Sequence, residues 1–274
     1  NAYRVLAGDV RRGEPIAPAA EWLLDNFHLL EGEMREIRHH LPTRYYRELP
    51  KLAARELAGT ARVYAMAVEL LRYSDARLDP RRLDRFIHAF QTVAPLSIGE
   101  LWAWPSMLKL ALIEHLRRLS DELIESRDGR FEADRCFADF ESTQPHGRLP
   151  ALPDVLHVAF VDRLLQRMRE YGAGAAGLRK LLEERLDAAG TTVEDAVRAE
   201  NQRQAMNHVS MGNSITSLRL CATLDWNEYV EAVSLIEQIL KRDPHGVYGR
   251  MEFKSRDRYR HAVEALAEPS GEAQ

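Results

Sequence analysis

A chain of 274 residues with 45% hydrophobic and 29% charged side chains has the composition of a folded globular protein. At that length it buries about three quarters of its unfolded surface, so it needs no disulfide or metal to hold a core. Its formal charge of −4, from 38 basic and 42 acidic residues, gives no overall attraction to nucleic acid or anionic lipid. No apolar run reaches the ~18 residues of a membrane span.

Only five of the basic residues are Lys (51, 109, 180, 241 and 254). The Arg excess reads first as coding bias and second as functional Arg clusters. Cys136 and Cys221 are too few and too far apart for a disulfide framework or a zinc knuckle, and read as inert core thiols of a reducing compartment. The N-terminal residues do not read as a signal peptide. The chain lacks an initiator Met, Asn1-Ala2 reads as a tag remnant, and the whole reads as a piece of a longer protein.

The periodicity is helical almost throughout. Residues 1–16 read as a polar, Pro-containing N-terminal arm. Pro18 to His39 predicts a first helix, with Trp22, Phe27, Leu30 and Met34 on one side, stopped by His39-His40-Leu41-Pro42. Tyr45 to Pro50 reads as an irregular connector, and residues 58–74 as a second helix. Asp79-Pro80 opens a third, with Asp as N-cap and Pro at the first helical position. Ser97 with Glu100 is a capping box. It opens a long helix to Arg127 in which Pro105 predicts a kink, and a shorter helix over 130–141 follows.

Gln144 to Pro153, with three prolines and a glycine, is the best candidate linker. Beyond it, Leu156, Phe160, Leu164 and Met168 recur every four residues, and Leu178, Leu181, Leu182 and Leu186 mark another helix. Thr191 with Glu194 reads as a capping box for an unusually polar helix that Gly212-Asn213 interrupts. Asp225 caps an amphipathic helix from Trp226 to Leu240, residues 244–254 form a loop, and Ser255 caps a last helix. The fold class is all-α, an array of about ten helices with no sheet. Residues 17–267 read as a single helical domain, with any division into two lobes near 144–153, and 268–274 as a disordered tail.

Common catalytic motifs are missing. Gly172-Ala173-Gly174-Ala175-Ala176-Gly177 matches the dinucleotide pattern G-x-G-x-x-G, but a helical run precedes it where the fingerprint needs a strand. It reads as a helix end and connector. There is no Walker loop, zinc-protease motif or serine-hydrolase elbow. His39 and His40 are adjacent on a helix, point about 100° apart, and make a poor metal pair. Glu31, Glu33 and Glu36, and Asp195 with Glu200, are the close carboxylates. They are a solvated face, or, if 5–10 Å apart across a sugar, a glycoside-hydrolase pair.

Three stretches are less generic. They are Leu30 to Arg38 continuing through Leu41-Pro42-Thr43-Arg44-Tyr45-Tyr46-Arg47-Glu48-Leu49-Pro50-Lys51-Leu52; Pro95 to Ala103 with Gly99-Glu100-Leu101-Trp102; and Asn201-Gln202 through Val209 to Leu220 with Leu224-Asp225-Trp226 and Asp257-Arg258-Tyr259-Arg260. From about residue 20 to 265 the chain resembles the N-terminal region of the cyclic β-1,2-glucan synthases, large multi-domain bacterial inner-membrane proteins. The resemblance implies a parent with membrane helices, a UDP-glucose-dependent glycosyltransferase domain and glycan-processing domains downstream. This chain has neither a D-x-D nor a Q-x-x-R-W motif, so the resemblance places the transfer chemistry elsewhere in the parent.

It also implies a piece on the cytoplasmic face of the inner membrane, with the downstream domains of the same polypeptide and β-1,2-glucan as partners. Nucleic acid, cofactor, metal and catalytic residue are not expected. The expected role is a non-catalytic module that docks on the transferase and membrane domains or holds nascent glucan. The alternatives are a glycan-processing domain with paired carboxylates and a protein-interaction adapter.

Candidate ligand contacts fall in three groups. Tyr45, Tyr46, Arg47 and Glu48 offer aromatic faces for sugar rings and an ion-pair couple; alternatively the tyrosines plug the core. Glu100, Trp102 and Trp104 surround Pro105, with the two indoles on different sides of the helix. Asn201, Gln204, Asn207 and Asn213, with Gln202, supply the paired donors and acceptors that sugar hydroxyls require, or else an internal network.

Overall fold

The computed structural model describes residues 2–53, 56–143 and 148–270, and among these every regular element is a helix. Part of the proposed linker, residues 144–147, and the end of the tail, residues 271–274, lie outside the described residues. The helices are α1 (Ala2–Arg12), α2 (Pro18–Asp25), α3 (Phe27–His40), α4 (Thr43–Glu48), α5 (Arg62–Ser74), α6 (Pro80–Gln91), α7 (Ile98–Thr143), α8 (Val158–Tyr171), α9 (Ala176–Ala188), α10 (Val193–Thr223), α11 (Trp226–Val233), α12 (Leu235–Leu240) and α13 (Phe253–Ser270). None of the described helices is long and apolar enough to cross a membrane.

Contacts divide the chain into two compact units, one of Asn1–Asp25 with Leu116–Gly212 and the other of Asn26–His115 with Asn213–Gln274. The boundaries fall at Asn26 and inside α7 and α10, not near 144–153. Two of the boundaries fall inside unbroken helices, so no turn or linker marks them in the sequence.

In the first unit Phe137 and Phe140 of α7 pack with Phe160, Leu164 and Met168 of α8 and Leu178, Leu182 and Leu186 of α9. The every-fourth-residue pattern read from the sequence is this core. Residues 2–12, expected to be an arm, are helical because Leu6 and Asp9 bury one face. Asp9 is held there by Arg127 of α7, 2.9 Å from Oδ1 to Nη2.

The predicted helix over 130–141 is the end of α7, which runs 46 residues without a break at Gly129. Gly129 is needed for closeness: a Cβ there would stand 3.4 Å from the Phe160 backbone nitrogen. Gly212 likewise does not interrupt α10. It lies against the Trp22 ring, 3.6 Å from where a Cβ would be. The cap of α10 is Thr192 with Asp195, one residue beyond the predicted pair: the Asp195 N–H donates to the Thr192 hydroxyl at 3.1 Å.

In the second unit Leu83, Ile87, Leu101, Trp104, Met107, Leu108, Leu112 and Leu218 are fully enclosed. The caps predicted at Asp79 and Asp225 are seen as drawn. The Arg82 N–H donates to Asp79 at 2.9 Å, and Asp225 accepts from Asn227 and Glu228, each at 3.0 Å. Two predicted helices are split. Asn26 divides α2 from α3, its buried side chain accepting from Arg219. Ser234 divides α11 from α12, where the Gln91 amide takes the Val233 carbonyl at 2.8 Å and the Ser234 hydroxyl caps Glu237 at 3.2 Å. Tyr45–Pro50 is not irregular, for Thr43–Glu48 forms the short α4. The second helix begins at Arg62 and the last at Phe253.

After α5, Asp75 and Ala76 adopt left-handed backbone at φ 49° and 54°, a region unfavourable for residues with a Cβ. Two side chains of α10 hold the turn. Asn213 donates to the Asp75 carbonyl at 3.0 Å. The Ser217 hydroxyl donates to Ala76 at 2.6 Å and accepts from Leu78 at 2.9 Å.

Candidate functional site

The first predicted group lies in the second unit and turns inward. The half-buried Tyr45 hydroxyl donates to the Gly99 carbonyl. Burial, then the charges of Glu264 and Glu100, push its phenol up to about 12. The Tyr46 hydroxyl accepts the Ala61 N–H at 3.2 Å, and the Lys51 ammonium sits 3.7 Å from the ring centre while donating to the Tyr46 carbonyl at 2.6 Å. Arg47 is exposed, and the exposed Glu48 pairs with Arg44 at 3.2 Å.

Glu100 is fully buried. It completes the capping box, accepting the Ser97 N–H at 3.0 Å while its own N–H donates to the Ser97 hydroxyl at 3.1 Å. Its carboxylate also binds Arg62 twice, at 2.9 and 2.6 Å. Tyr45 and Glu100 therefore meet around Gly99, but as a staple on the start of α7. Trp104 is fully enclosed, stacked 6.0 Å from Phe86. Trp102 is half-buried, edge-on to Phe253, and donates to Asp257 at 3.3 Å.

Asp257 leads to a charge network that the sequence reading did not contain. Arg260, fully buried, donates to Glu237 at 2.6 Å, Glu231 at 3.1 Å and Asp257 at 3.1 Å. Arg256 adds three bonds to Glu231, and the Tyr248 hydroxyl donates to Glu237 at 2.5 Å. A fully buried guanidinium with three carboxylates is a structural cross-brace, because each charge needs the others to stay desolvated. Glu33 and Glu36, considered as acids of a hydrolytic pair, share the Lys109 ammonium at 2.5 and 2.9 Å. Burial alone would lower the Lys109 pKa, but the two carboxylates outweigh it and raise it.

The amide group does not gather in one place. Asn213 belongs to the second unit and supports the left-handed turn. Asn201, Gln204 and Asn207 belong to the first, where Gln204 donates to Glu200 at 2.7 Å, Asn207 is buried and Asn201 lies at the rim of a hollow beside Val193 and Arg198. Both thiols are buried, which pushes Cys136 up to about 11 and Cys221 up to about 12. They are poor nucleophiles, as the sequence suggested.

The first unit also holds a cleft that sequence reasoning missed, of about 400 Å³, walled by α1, the 14–18 turn, α7 and α8, with Gln204 of α10. Its α7 wall presents Arg127, Arg130, Phe131 and Asp134, and its α8 wall Asp162, Arg163 and Gln166. Arg163 pairs with Asp134 at 3.0 Å, and Arg127 with Asp9. Arg130 is the exception. Its one hydrogen bond among the described residues is a 3.4 Å contact with the Ser126 hydroxyl, and it forms no ion pair there. The signal was present in the sequence as Arg127, Arg130, Phe131 and Asp134 at helical spacing, beside the apolar stripe of Ala133, Phe137 and Phe140. It was masked by treating the Arg excess as coding bias.

Fold and geometry define an all-helical module with no strand among its described residues to carry a nucleotide loop, in which the fully buried Glu100, Glu237 and Arg260 are each ion-paired. No protein-family model matches it. The cyclic beta-(1,2)-glucan synthase NdvB of Rhizobium meliloti (strain 1021) is 36% identical over 280 aligned positions, taking in 99% of this chain and 10% of that protein. The chain belongs to the cyclic β-(1,2)-glucan synthase family and spans about a tenth of the length of the curated relative it matches.

Proposed function

We propose that this chain is a non-catalytic helical module of a cyclic β-1,2-glucan synthase, on the cytoplasmic face of the bacterial inner membrane. It supports synthesis by docking on the transferase and membrane domains of the same polypeptide or by holding nascent glucan. The observation that carries the reading is the match to NdvB along 99% of the chain. The closed carboxylates support it: Glu33 and Glu36 are bound by Lys109, Glu100 by Arg62, and Glu231 and Glu237 by Arg260, leaving none of these free for acid–base work.

The test is deletion of the corresponding segment from a full-length synthase, with glucan formation from UDP-glucose measured in membranes, alongside the same assay on this chain alone. The expected result is loss of glucan formation in the deletion and no glucose transfer or glucan cleavage by the chain alone. Unchanged synthesis in the deletion, or turnover by the isolated chain, overturns the reading.

A further inference from the structure

The cleft of the first unit contains two opposite charges that share a hollow without pairing. Arg130 is half-buried on α7 and Asp162 half-buried on α8. Each feels the other's charge, yet they form no ion pair, and the Asp162 carboxylate accepts no hydrogen bond among the described residues. Desolvating a guanidinium and a carboxyl without joining them is costly unless something else supplies their hydrogen bonds. Burial, more than any neighbour, holds the Arg130 pKa below and the Asp162 pKa above the ordinary value.

The rest of the lining narrows the ligand. Four carboxylates (Asp9, Glu14, Asp134, Asp162) face three guanidinium groups (Arg127, Arg130, Arg163), so the cleft has no surplus of positive charge for an anion. It holds donors and acceptors side by side, with Gln166 and Gln204 offering both. Pro15, Ile16, Pro18 and Phe131 supply apolar wall. Its volume of about 400 Å³ lies within the range of about 300–1,000 Å³ usual for small-molecule sites. Hydroxyl groups, each a donor and an acceptor, satisfy an unpaired Arg and an unpaired Asp at once, whereas a phosphate would bond Arg130 and be repelled by Asp162.

We infer that this cleft binds a neutral polyhydroxylated ligand, a short oligosaccharide segment, with Arg130 donating to its hydroxyls and Asp162 accepting from them. The inference rests on the reading of the chain as a glucan-synthase module and locates where it holds glucan. The groups considered first, Tyr46 and Asn213, lie in the other unit and serve as controls.

The test is calorimetric and NMR titration of this chain with a linear β-1,2-linked gluco-oligosaccharide, with inorganic phosphate and UDP-glucose as separate arms. Saturable oligosaccharide binding is expected. R130M and D162N should each weaken it by about tenfold or more, the usual cost of losing a charged hydrogen bond, while N213A leaves it unchanged. R130K keeps the charge but not the fork, and should also weaken binding; it serves where R130M fails to fold by circular dichroism. No saturable binding, binding indifferent to all three cleft variants, or phosphate and UDP-glucose binding more tightly than the oligosaccharide overturns the inference. Such a failure leaves the supporting role to be decided by the deletion in the full-length synthase.

Discussion

The two units treat buried charge differently. In the second, nearly every desolvated ion is matched: Arg260 has three carboxylates, Glu100 has Arg62 and two cap bonds, and Lys109 has Glu33 and Glu36. In the first, Asp9 is matched as closely, but beside it Arg130 and Asp162 share a cleft and stay apart. A matched buried charge fixes helices to one another. An unmatched one facing a hollow keeps hydrogen-bonding capacity open toward that hollow. The conspicuous aromatic and acidic residues of the sequence mostly fall on the matched side.

The contrast is most easily broken at Arg260. R260M leaves Glu231 and Glu237 with fewer partners in a dry core, and should destabilise the protein by about 3–5 kcal/mol, read as a lower urea midpoint. R130M removes a charge with no carboxylate to strand, and should cost far less stability while costing ligand affinity. If R130M unfolds the chain as readily as R260M, the two units do not differ in the way described.

Asp9 gives a pH test. Its hydrogen bonds to Arg127 hold its carboxyl below the ordinary value, against the raising effect of burial. A folded pKa below the unfolded one, about 3.9, contributes stability that is present above about pH 4 and lost as pH falls through the folded value. D9N should therefore be less stable than the parent at pH 7, with the difference shrinking below about pH 4. A difference constant from pH 7 to pH 2 would show that the ion pair contributes little.

Y45F removes one hydrogen bond to the Gly99 carbonyl and should cost about 0.5–1.5 kcal/mol in chemical denaturation, with no effect on oligosaccharide affinity. The smallest effect is expected at Glu48, whose pair with Arg44 is exposed on both sides; E48A should leave the melting temperature unchanged within error. A loss of oligosaccharide binding in Y45F or E48A would return weight to the α4 segment as a sugar contact.

Much of the fold was legible because helix formation is a local matter. The apolar spacing along α8 and α9, the capping box at Ser97 and Glu100, the Asp79-Pro80 start and the dismissal of the glycine-rich motif all follow from neighbours within one or two turns. Gly172 ends α8 with φ 82° and a short 3-10 turn leads straight into α9. The failures share a different scale. Asn26 breaks a helix because Arg219 reaches its side chain from 193 positions away. The helix at residues 2–12 buries Asp9 because Arg127 lies 118 positions on. Gly129 and Gly212 stay helical because α8 and Trp22 pack closely against them.

The candidate site divides the same way. Residue chemistry alone identified tyrosines, tryptophans and amides able to bind a sugar, and the sequence by itself determined the all-helical class and the synthase family. Only tertiary structure decided which of those groups were already occupied, for a hydrogen bond to Gly99 or a partner such as Arg62 leaves no mark on local periodicity. It also decided that α7 and α8 face each other with Arg130 and Asp162 unpaired between them. Whether a charge is satisfied depends on what the fold brings within about 3 Å of it, and in a chain of long helices those groups come from far along the sequence.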